Sequence, residues 1–487
     1  HGLDDETLLR FAQKDERLGT AVDAAHAEFL RLQNEMPDLM ALSESELTVA
    51  VQEGFINFYP VEAFNPYVAL AGSGPWVVTS HGAVLYESGG YGMLGFGPAP
   101  QQVLEAMNKP HVMANIMTPS FSQKRLVEAL RKEVGHCHGM CPFDSFFCLN
   151  SGSEAVTLAA RISDINARIK TDPGGDHAGK SIRILGLKSA FHGRTDRPAR
   201  FSDSTREVYC KNLASFRDFD NLLTVEPNNI QQLEQVYSYA DNNNLFIEAF
   251  FLEPVMGEGS PGLSVTTEFY VRARELTREH GTLFLVDSIQ AGLRGHGVLS
   301  ICDYPGFENI DAPDMETYSK ALNGGQYPLS VLALSKETAA LYRAGVYGNT
   351  MSTNPRALDI AVSVLNSLTP EMRQNIQDRG RELKEKLIDL QSELDGDITR
   401  VQGTGLLLSA ELDPQRFKSY GANSTEEYMR IHGINVIHGG KNALRYTPPF
   451  DITSEEVDLI IAATREAIVN GPVKKTSDQS GETSEAA

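Results

Sequence analysis

The chain has 487 residues, 41% of them apolar, 22% charged and 8% aromatic, and its 43 basic and 64 acidic side chains leave a formal net charge of −21. That length exceeds one simple core and suits two domains or three, and the composition is that of an ordinary globular protein. No apolar run is long enough to span a bilayer, and the acidic balance argues against nucleic acid or an anionic membrane as a general partner, while leaving room for a local basic pocket.

Residues 4 to 34 carry helical apolar spacing (Leu8, Leu9, Phe11, Leu18, Val22, Ala25, Phe29, Leu32). The capping-type Ser43-Glu-Ser-Glu46 predicts a second helix, and both read as an arm docked on a larger body. Gly72 to Ser88 reads as a hairpin of two short apolar strands. Gly89 to Gly97 is too rich in glycine for either regular element and forms a loop able to bring backbone close to a ligand.

From about residue 100 strands alternate with helices. Short apolar runs at Phe146–Leu149, Ile182–Leu187, Ile247–Leu252 and Leu283–Val286 are separated by helical stretches at Ala155–Lys170, Ile230–Tyr239 and Glu268–His280. Continuous apolar strands with crossover helices predict a buried, mostly parallel sheet in an α/β layer fold. After Pro355 a long helical region to Leu394 is expected, then a strand over Gly403–Leu412, a helix over Thr425–His432, a strand over Ile434–Ile437 and a closing helix over Ser454–Val469. The domains expected are an N-terminal arm and hairpin (1–99), a large α/β domain (100–365), a small α+β domain (366–472) and a polar, disordered tail (473–487).

Five cysteines (Cys137, Cys141, Cys148, Cys210, Cys302) are few and odd in number, which fits free thiols in a reducing compartment better than a disulfide framework. His136-Cys-His-Gly-Met-Cys141 has some look of a metal cluster but lacks the second ligand pair of the usual zinc form, and no metal is expected. Nothing at the start reads as a signal peptide. The expected compartment is the cytoplasm; because the chain opens on His1, a trimmed targeting segment and the mitochondrial matrix stay open.

The chemistry collects at strand ends, where ligands of open α/β sheets lie. Lys320 follows a short strand, Met315–Tyr318, and precedes the Gly324-Gly325 turn; a lysine there can shed solvation, lower its pKa and attack a carbonyl to form a Schiff base. Ser151-Gly152-Ser153 carries a strand into a helix whose first amides, with the serine hydroxyls, can hold a phosphate. Asp287 ends another strand, with Gln290 three residues on; a buried carboxylate needs a cation or hydrogen bonds, and a protonated ring nitrogen would serve. Phe191-His192-Gly-Arg194 offers an aromatic face and a guanidinium. Phosphate cradle, ring-nitrogen partner, stacking surface and amine are the set that pyridoxal phosphate needs.

These motifs resemble the class III, ornithine- and GABA-aminotransferase-like, members of the fold type I pyridoxal phosphate enzymes. The resemblance runs from about Gly72 to Val469 in the family's order. Asn150 to Ala155 resembles its phosphate loop. Phe191 to Thr195 is similar to the segment that stacks on the ring, here with Phe191 and His192. Leu252-Glu253-Pro-Val-Met-Gly-Glu258-Gly259 is similar to its Glu-Pro-x-x-Gly-Glu signature, Asp287 to Gly292 to the ring-nitrogen segment, and Ser319 to Ser330 to the Schiff-base segment. Thr350, within Gly348 to Pro355, matches a threonine that reaches the phosphate of a neighbouring subunit, and Arg445, within Leu444 to Pro449, matches an arginine that binds a substrate carboxylate.

The resemblance implies a seven-stranded, mostly parallel sheet, a homodimer or dimer of dimers, and ping-pong amino transfer from an ω-amine or ω-amino acid to a keto acid such as 2-oxoglutarate. It also implies that Glu258 pairs with Arg445 until the keto acid arrives, with Arg194 holding the distal carboxylate and Tyr91 near the substrate. Ser288 stands where the family has glutamate, and Leu293 to Gly297 replaces its Gly-Arg-Thr-Gly, with added sequence around Ile301 to Ile310; these departures bear on substrate preference. Relatives that racemise, decarboxylate or shift amino groups within one molecule remain alternatives, as does a non-catalytic binding protein. A nucleotide-binding α/β protein lacks both a Gly-x-Gly-x-x-Gly start and a Walker-type lysine.

Overall fold

A computed structural model describes residues 1–474. The chain forms two compact units, one from residues 1–104 and 374 onward, the other from residues 105–373. The first unit is therefore assembled from both ends of the chain. The polar tail expected from 473 lies, beyond Lys474, outside the described residues.

The second unit is built on a seven-stranded sheet in the order Ser145–Leu149, Ser330–Leu334, Met315–Tyr318, Leu283–Asp287, Leu245–Leu252, Ser181–Leu187, Leu222–Val225. Only Ser330–Leu334 runs against the rest, pairing antiparallel on both sides; the other pairings are parallel. The strand Leu245–Leu252 is buried along its whole length, as a central strand covered on both faces must be. The helix Gly152–Thr171 packs Val156, Leu158, Ala159 and Ile162 against strand residues Ala249, Phe251, Leu285 and Leu332. Because six strands share one direction, their carboxyl ends lie along one edge; Asp287 ends one of them and Asn150, Glu253 and Lys320 follow three others. The edge strand Leu222–Val225 and the reversed Ser330–Leu334 were not foreseen, being short apolar runs without flanking periodicity.

In the first unit the expected arm is two helices, Asp5–Ala12 and Glu16–Glu35. They divide because Asp15 is a cap: its carboxylate accepts from the Arg17 amide (3.0 Å) and from Trp76 Nε1 (2.7 Å). Ser43 opens the helix Glu44–Ala50 with the expected capping box. The hairpin strands Trp76–Thr79 and Val84–Glu87 form, joined by Ala69–Ser73 on one side and, in parallel, by Ile434–Asn435 on the other. Three later expectations need correction. The helical region after Pro355 breaks into Pro355–Asn366 and Pro370–Glu393, since Pro370 disfavours helical backbone at the residue before it. Gly403–Leu412 is a hairpin, Ile398–Thr404 against Leu407–Leu412, turning at Gly405 with φ +56°. Ile434–Ile437 is shared between two sheets: Ile434–Asn435 joins the first, while Ile437–Gly439 pairs with Ala443–Tyr446 in the second.

Candidate active site

Asp287 ends its strand beside Thr317, its register partner on the neighbouring strand. Strand alternation puts both side chains on one face, and Thr317 Oγ1 donates to Asp287 Oδ1 at 3.0 Å. The Ile289 amide donates to the same oxygen at 3.2 Å, and His192 Nδ1 lies 2.7 Å from Oδ2. A carboxylate only accepts, so the imidazole carries its proton on Nδ1. Asp287 is 3% exposed and His192 2%. The other imidazole nitrogen, Nε2, is buried and has no partner among the described residues, an arrangement that leaves hydrogen-bonding capacity for a bound group.

Three residues beyond Thr317 stands Lys320, half-buried, at the start of a short 3-10 turn that ends at Asn323. Its φ of +43° puts a non-glycine residue in the left-handed region, and such strain collects at functional sites. Gly324 and Gly325, both at positive φ, complete the turn.

The Ser151-Gly152-Ser153 segment forms a helix entry. Ser151, extended at φ −143°, caps Gly152–Thr171 by accepting from the Glu154 amide, and the first-turn amides of Gly152 and Ser153 have no carbonyl four residues back within the helix. The carboxylate of Glu154 accepts from the Asn150 amide (2.7 Å) and from Asn349 Nδ2 (2.9 Å). That bond fixes the segment carrying Thr350, which is itself exposed. Gly193, at φ +113°, lets the next turn press on Ser153: a Cβ there would meet Ser153 Oγ at 2.2 Å, and the Arg194 amide donates to that oxygen at 3.3 Å. Arg194 is exposed and lies over the Phe191 ring, 5.4 Å from its centroid.

Glu253 is 2% exposed, and its carboxylate accepts from the amides of Phe191 (2.9 Å) and Gly257 (3.0 Å). Burial pushes its pKa up to about 7, partly offset by the nearby His192. Gln290 is buried against Gly257, where a Cβ would strike its side chain at 2.1 Å. Glu258 is half-buried in the same loop. Among the expected residues, Tyr91 and Arg445 belong to the first unit. Tyr91 has φ +52° within the glycine-rich loop. Arg445, fully buried on the strand Ala443–Tyr446, places its guanidinium 5.5 Å from the Tyr91 ring centroid. The Gly92 amide donates to Thr447 Oγ1 at 3.3 Å and so ties this loop to that strand.

Two residues of the site escaped sequence reasoning. Thr317 became visible only through strand register. Ser202 holds the His192 turn by accepting from the His192 amide and donating its one proton toward the Pro198 carbonyl (2.9 Å), with the Gly193 carbonyl 3.2 Å away as the alternative acceptor, and nothing in its neighbourhood signals this. Away from the site, His136, Cys137 and Asp303 bring donor atoms within 4.8 Å of one another. Asp303 accepts there from the Gly135 and Cys137 amides, and His136 Nδ1 lies 2.5 Å from the Glu133 carbonyl, so hydrogen bonds account for the cluster.

The sheet and the strand-end residues define a fold type I pyridoxal phosphate enzyme, and similarity to known proteins narrows the class. The chain belongs to the class-III aminotransferases, whose family model matches residues 60–468. It is 27% identical over 434 residues to ornithine aminotransferase 2 of Staphylococcus aureus (strain Mu50 / ATCC 700699), covering 88% of this chain and 99% of that protein. Its fold is similar to ornithine aminotransferase from Toxoplasma gondii ME49 (TM-score 0.73, 22% identity, 90% of this chain and 97% of that one). It is also similar to N-acetylornithine aminotransferase from Stenotrophomonas maltophilia K279a (TM-score 0.65, 23% identity, 86% and 98%). The protein is a transaminase, and pyridoxal phosphate is its cofactor. The residues present suit that group: an orphaned buried imidazole nitrogen beside a carboxylate, a helix entry with open amides, and a lysine on a strained turn.

Proposed function

We propose that the chain moves the terminal amino group of an ω-amino acid of the ornithine class to a keto acid such as 2-oxoglutarate, with Lys320 as the catalytic amine and Asp287 as partner of the ring nitrogen. The observation that carries it is the bond from Thr317 to Asp287, which joins the strand end bearing the carboxylate to the strand leading into Lys320. The donors named on the similar ornithine and N-acetylornithine enzymes support the amine class.

When bound, pyridoxal phosphate supplies an aldehyde that captures the amine and a ring that accepts the electron pair released at the substrate carbon. Ser151, Gly152 and Ser153 would hold the phosphate with amides and hydroxyls, Thr350 of a second copy would complete that hold, and Phe191 would cover one face of the ring. Asp287, oriented by His192 and Thr317, would keep the proton on the ring nitrogen. Gln290 would lie by the ring hydroxyl, and Glu253 fixes the Phe191 and Gly257 backbone. Lys320 Nζ would take the proton from the substrate carbon and return it one position away. Arg445 receives the keto acid's carboxylate bidentately and Glu258 neutralises it while the amine reacts; Arg194 holds the distal carboxylate, and Tyr91 bounds the substrate. Because Thr350 serves a neighbouring site, the working unit is a homodimer or a dimer of dimers. The cytoplasm is the proposed compartment; no helix among the described residues is long and apolar enough to cross a membrane.

The test is a panel of amines (ornithine, lysine, GABA, putrescine, β-alanine) offered with 2-oxoglutarate or pyruvate, following the cofactor's visible absorbance and the aldehyde product. Ornithine-class donors should bleach the colour and the keto acid should restore it. Lys320→Ala should hold cofactor poorly, show no lysine-bound absorbance and lose turnover by at least about a hundredfold. Turnover at the parent rate in that variant removes Lys320 from the mechanism. Product formed without a keto acid would favour an aminomutase, racemase or decarboxylase.

A further inference from the structure

Between Asp287 and Lys320 the sheet hides a second carboxylate. Glu316 sits on the strand Met315–Tyr318, opposite Val286 in register and one residue before Thr317. Alternation along the strand turns it to the face away from Thr317, and it is 0% exposed. Its carboxylate accepts four hydrogen bonds, all from neutral donors. Ser288 Oγ (2.6 Å) and the Ile301 amide (2.9 Å) bond Oε1; Ser300 Oγ (2.5 Å) and Tyr318 Oη (2.9 Å) bond Oε2.

The sources of those donors matter. Ser288 directly follows Asp287, and its own amide donates to the Thr317 carbonyl at 3.1 Å. Ser300 and Ile301 close the buried loop that leaves the Asp287 segment. Tyr318 is two residues before Lys320. One carboxylate thus holds the strand end that carries the acid, the loop behind it and the strand that delivers the amine. A carboxyl group of this kind, removed from water and facing no cation in these bonds, is a poor source of stability; an apolar side chain of similar volume would serve a plain core as well or better. What four converging bonds to one carboxyl group do supply is fixed geometry, since short O–H···O and N–H···O contacts are directional.

We propose that Glu316 is a positioning residue of the cofactor site: acting through Ser288 and Tyr318, it sets the Asp287 carboxylate in register with Lys320. The inference rests on the roles given above to Asp287 and Lys320. Ser288 is the informative contact, because removing its hydroxyl cuts the link to Asp287 and leaves Glu316 three donors.

The experiment compares Ser288→Ala, Glu316→Gln and Glu316→Leu with the parent in three readouts: melting of the apo chain, pyridoxal phosphate affinity by titration of the apo chain, and the pH midpoint of the loaded protein's visible absorbance. Ser288→Ala should bind cofactor about tenfold more weakly and shift the midpoint by about half a unit, with apo melting within a few degrees of the parent. Glu316→Gln, whose amide oxygen still accepts and whose nitrogen can donate to the two remaining hydroxyls, should move both cofactor readouts the same way but less. Glu316→Leu should move them most; if it fails to fold, the first two variants decide. Parent affinity and midpoint in both Ser288→Ala and Glu316→Gln would overturn the proposal and leave Glu316 a core residue. A parent chain that takes up no cofactor would instead sink the assignment of Lys320 and Asp287, a result distinct from either.

Discussion

At the scale of single residues the site depends on where a side chain is forbidden as much as on where one is present. Gly193 stands at φ +113°, and the atom a Cβ would strike is the hydroxyl of Ser153. Gly193→Ala would therefore strain the backbone by about 1–3 kcal/mol and push the serine from the helix entry. The expected outcome is a pyridoxal phosphate affinity at least about tenfold lower, measured by titrating the apo protein, with the helical content of the chain unchanged. Parent affinity in this variant would show that the turn does not bear on the phosphate cradle. Asp287 and Lys320 stand out in one dimension, because a carboxylate at the end of an apolar strand and a lysine before paired glycines are unusual there; their roles remain those proposed above. Thr317 does not stand out: a threonine in a strand is ordinary until register sets it against a carboxylate.

At the scale of elements, the strand Met315–Tyr318 binds two carboxylates from its two faces, one through Thr317 and one as Glu316 itself. Burial pushes the Glu316 carboxyl up to about 7, against the pull of its four hydrogen bonds. An unfolded chain would release that proton near the ordinary value of 4.5. Between those two pH values the folded state holds a proton the unfolded state has lost, so this residue's contribution to stability falls as pH rises through that window and levels off above it. Glu316→Gln cannot titrate there. Denaturant unfolding from about pH 4.5 to 7.5 should show the parent losing stability relative to that variant; parallel curves would mean the carboxyl is ionised throughout. Glu253 and Glu248 shift in the same direction, which is why the comparison with a single substitution is needed. The elements themselves were mostly readable, and their errors share a cause. Asp15, Pro370 and the turn at Gly405 break runs whose apolar period continues across the break, and period reports burial rather than continuity.

At the scale of the molecule, the chain divides into two compact units, residues 1–104 with 374 onward and residues 105–373. Asp287, Lys320 and the phosphate loop belong to the middle of the chain, whereas Tyr91 and Arg445 come from a unit made of both ends. Thr350 is exposed, and Met351, Met117 and Phe121 of the same unit expose large apolar side chains, which supports association with a second copy. Mixing tests the sharing of Thr350 directly. A Lys320→Ala chain and a Thr350→Ala chain, each impaired alone, should together form hybrids in which the intact lysine of one faces the intact threonine of the other. Activity should recover toward about half of the parent level per hybrid site pair, given random reassortment of a dimer. No recovery in hybrids confirmed by mass would place Thr350 in its own subunit's site.

By itself the order of residues determined the chemistry on offer: an amine, a carboxylate, a helix entry and a late arginine, each marked by its local setting of strand end, glycine turn or cap. Such settings depend on backbone torsions and on neighbours a few positions away, which a linear sequence displays. Only the tertiary structure decided which groups bond to which: His192 and Thr317 to Asp287, Asn349 to Glu154, and Ser288, Ser300 and Ile301 to Glu316. Those pairings arise from sheet register and from loops folding back over tens or hundreds of residues, distances across which sequence neighbourhood carries no geometric information.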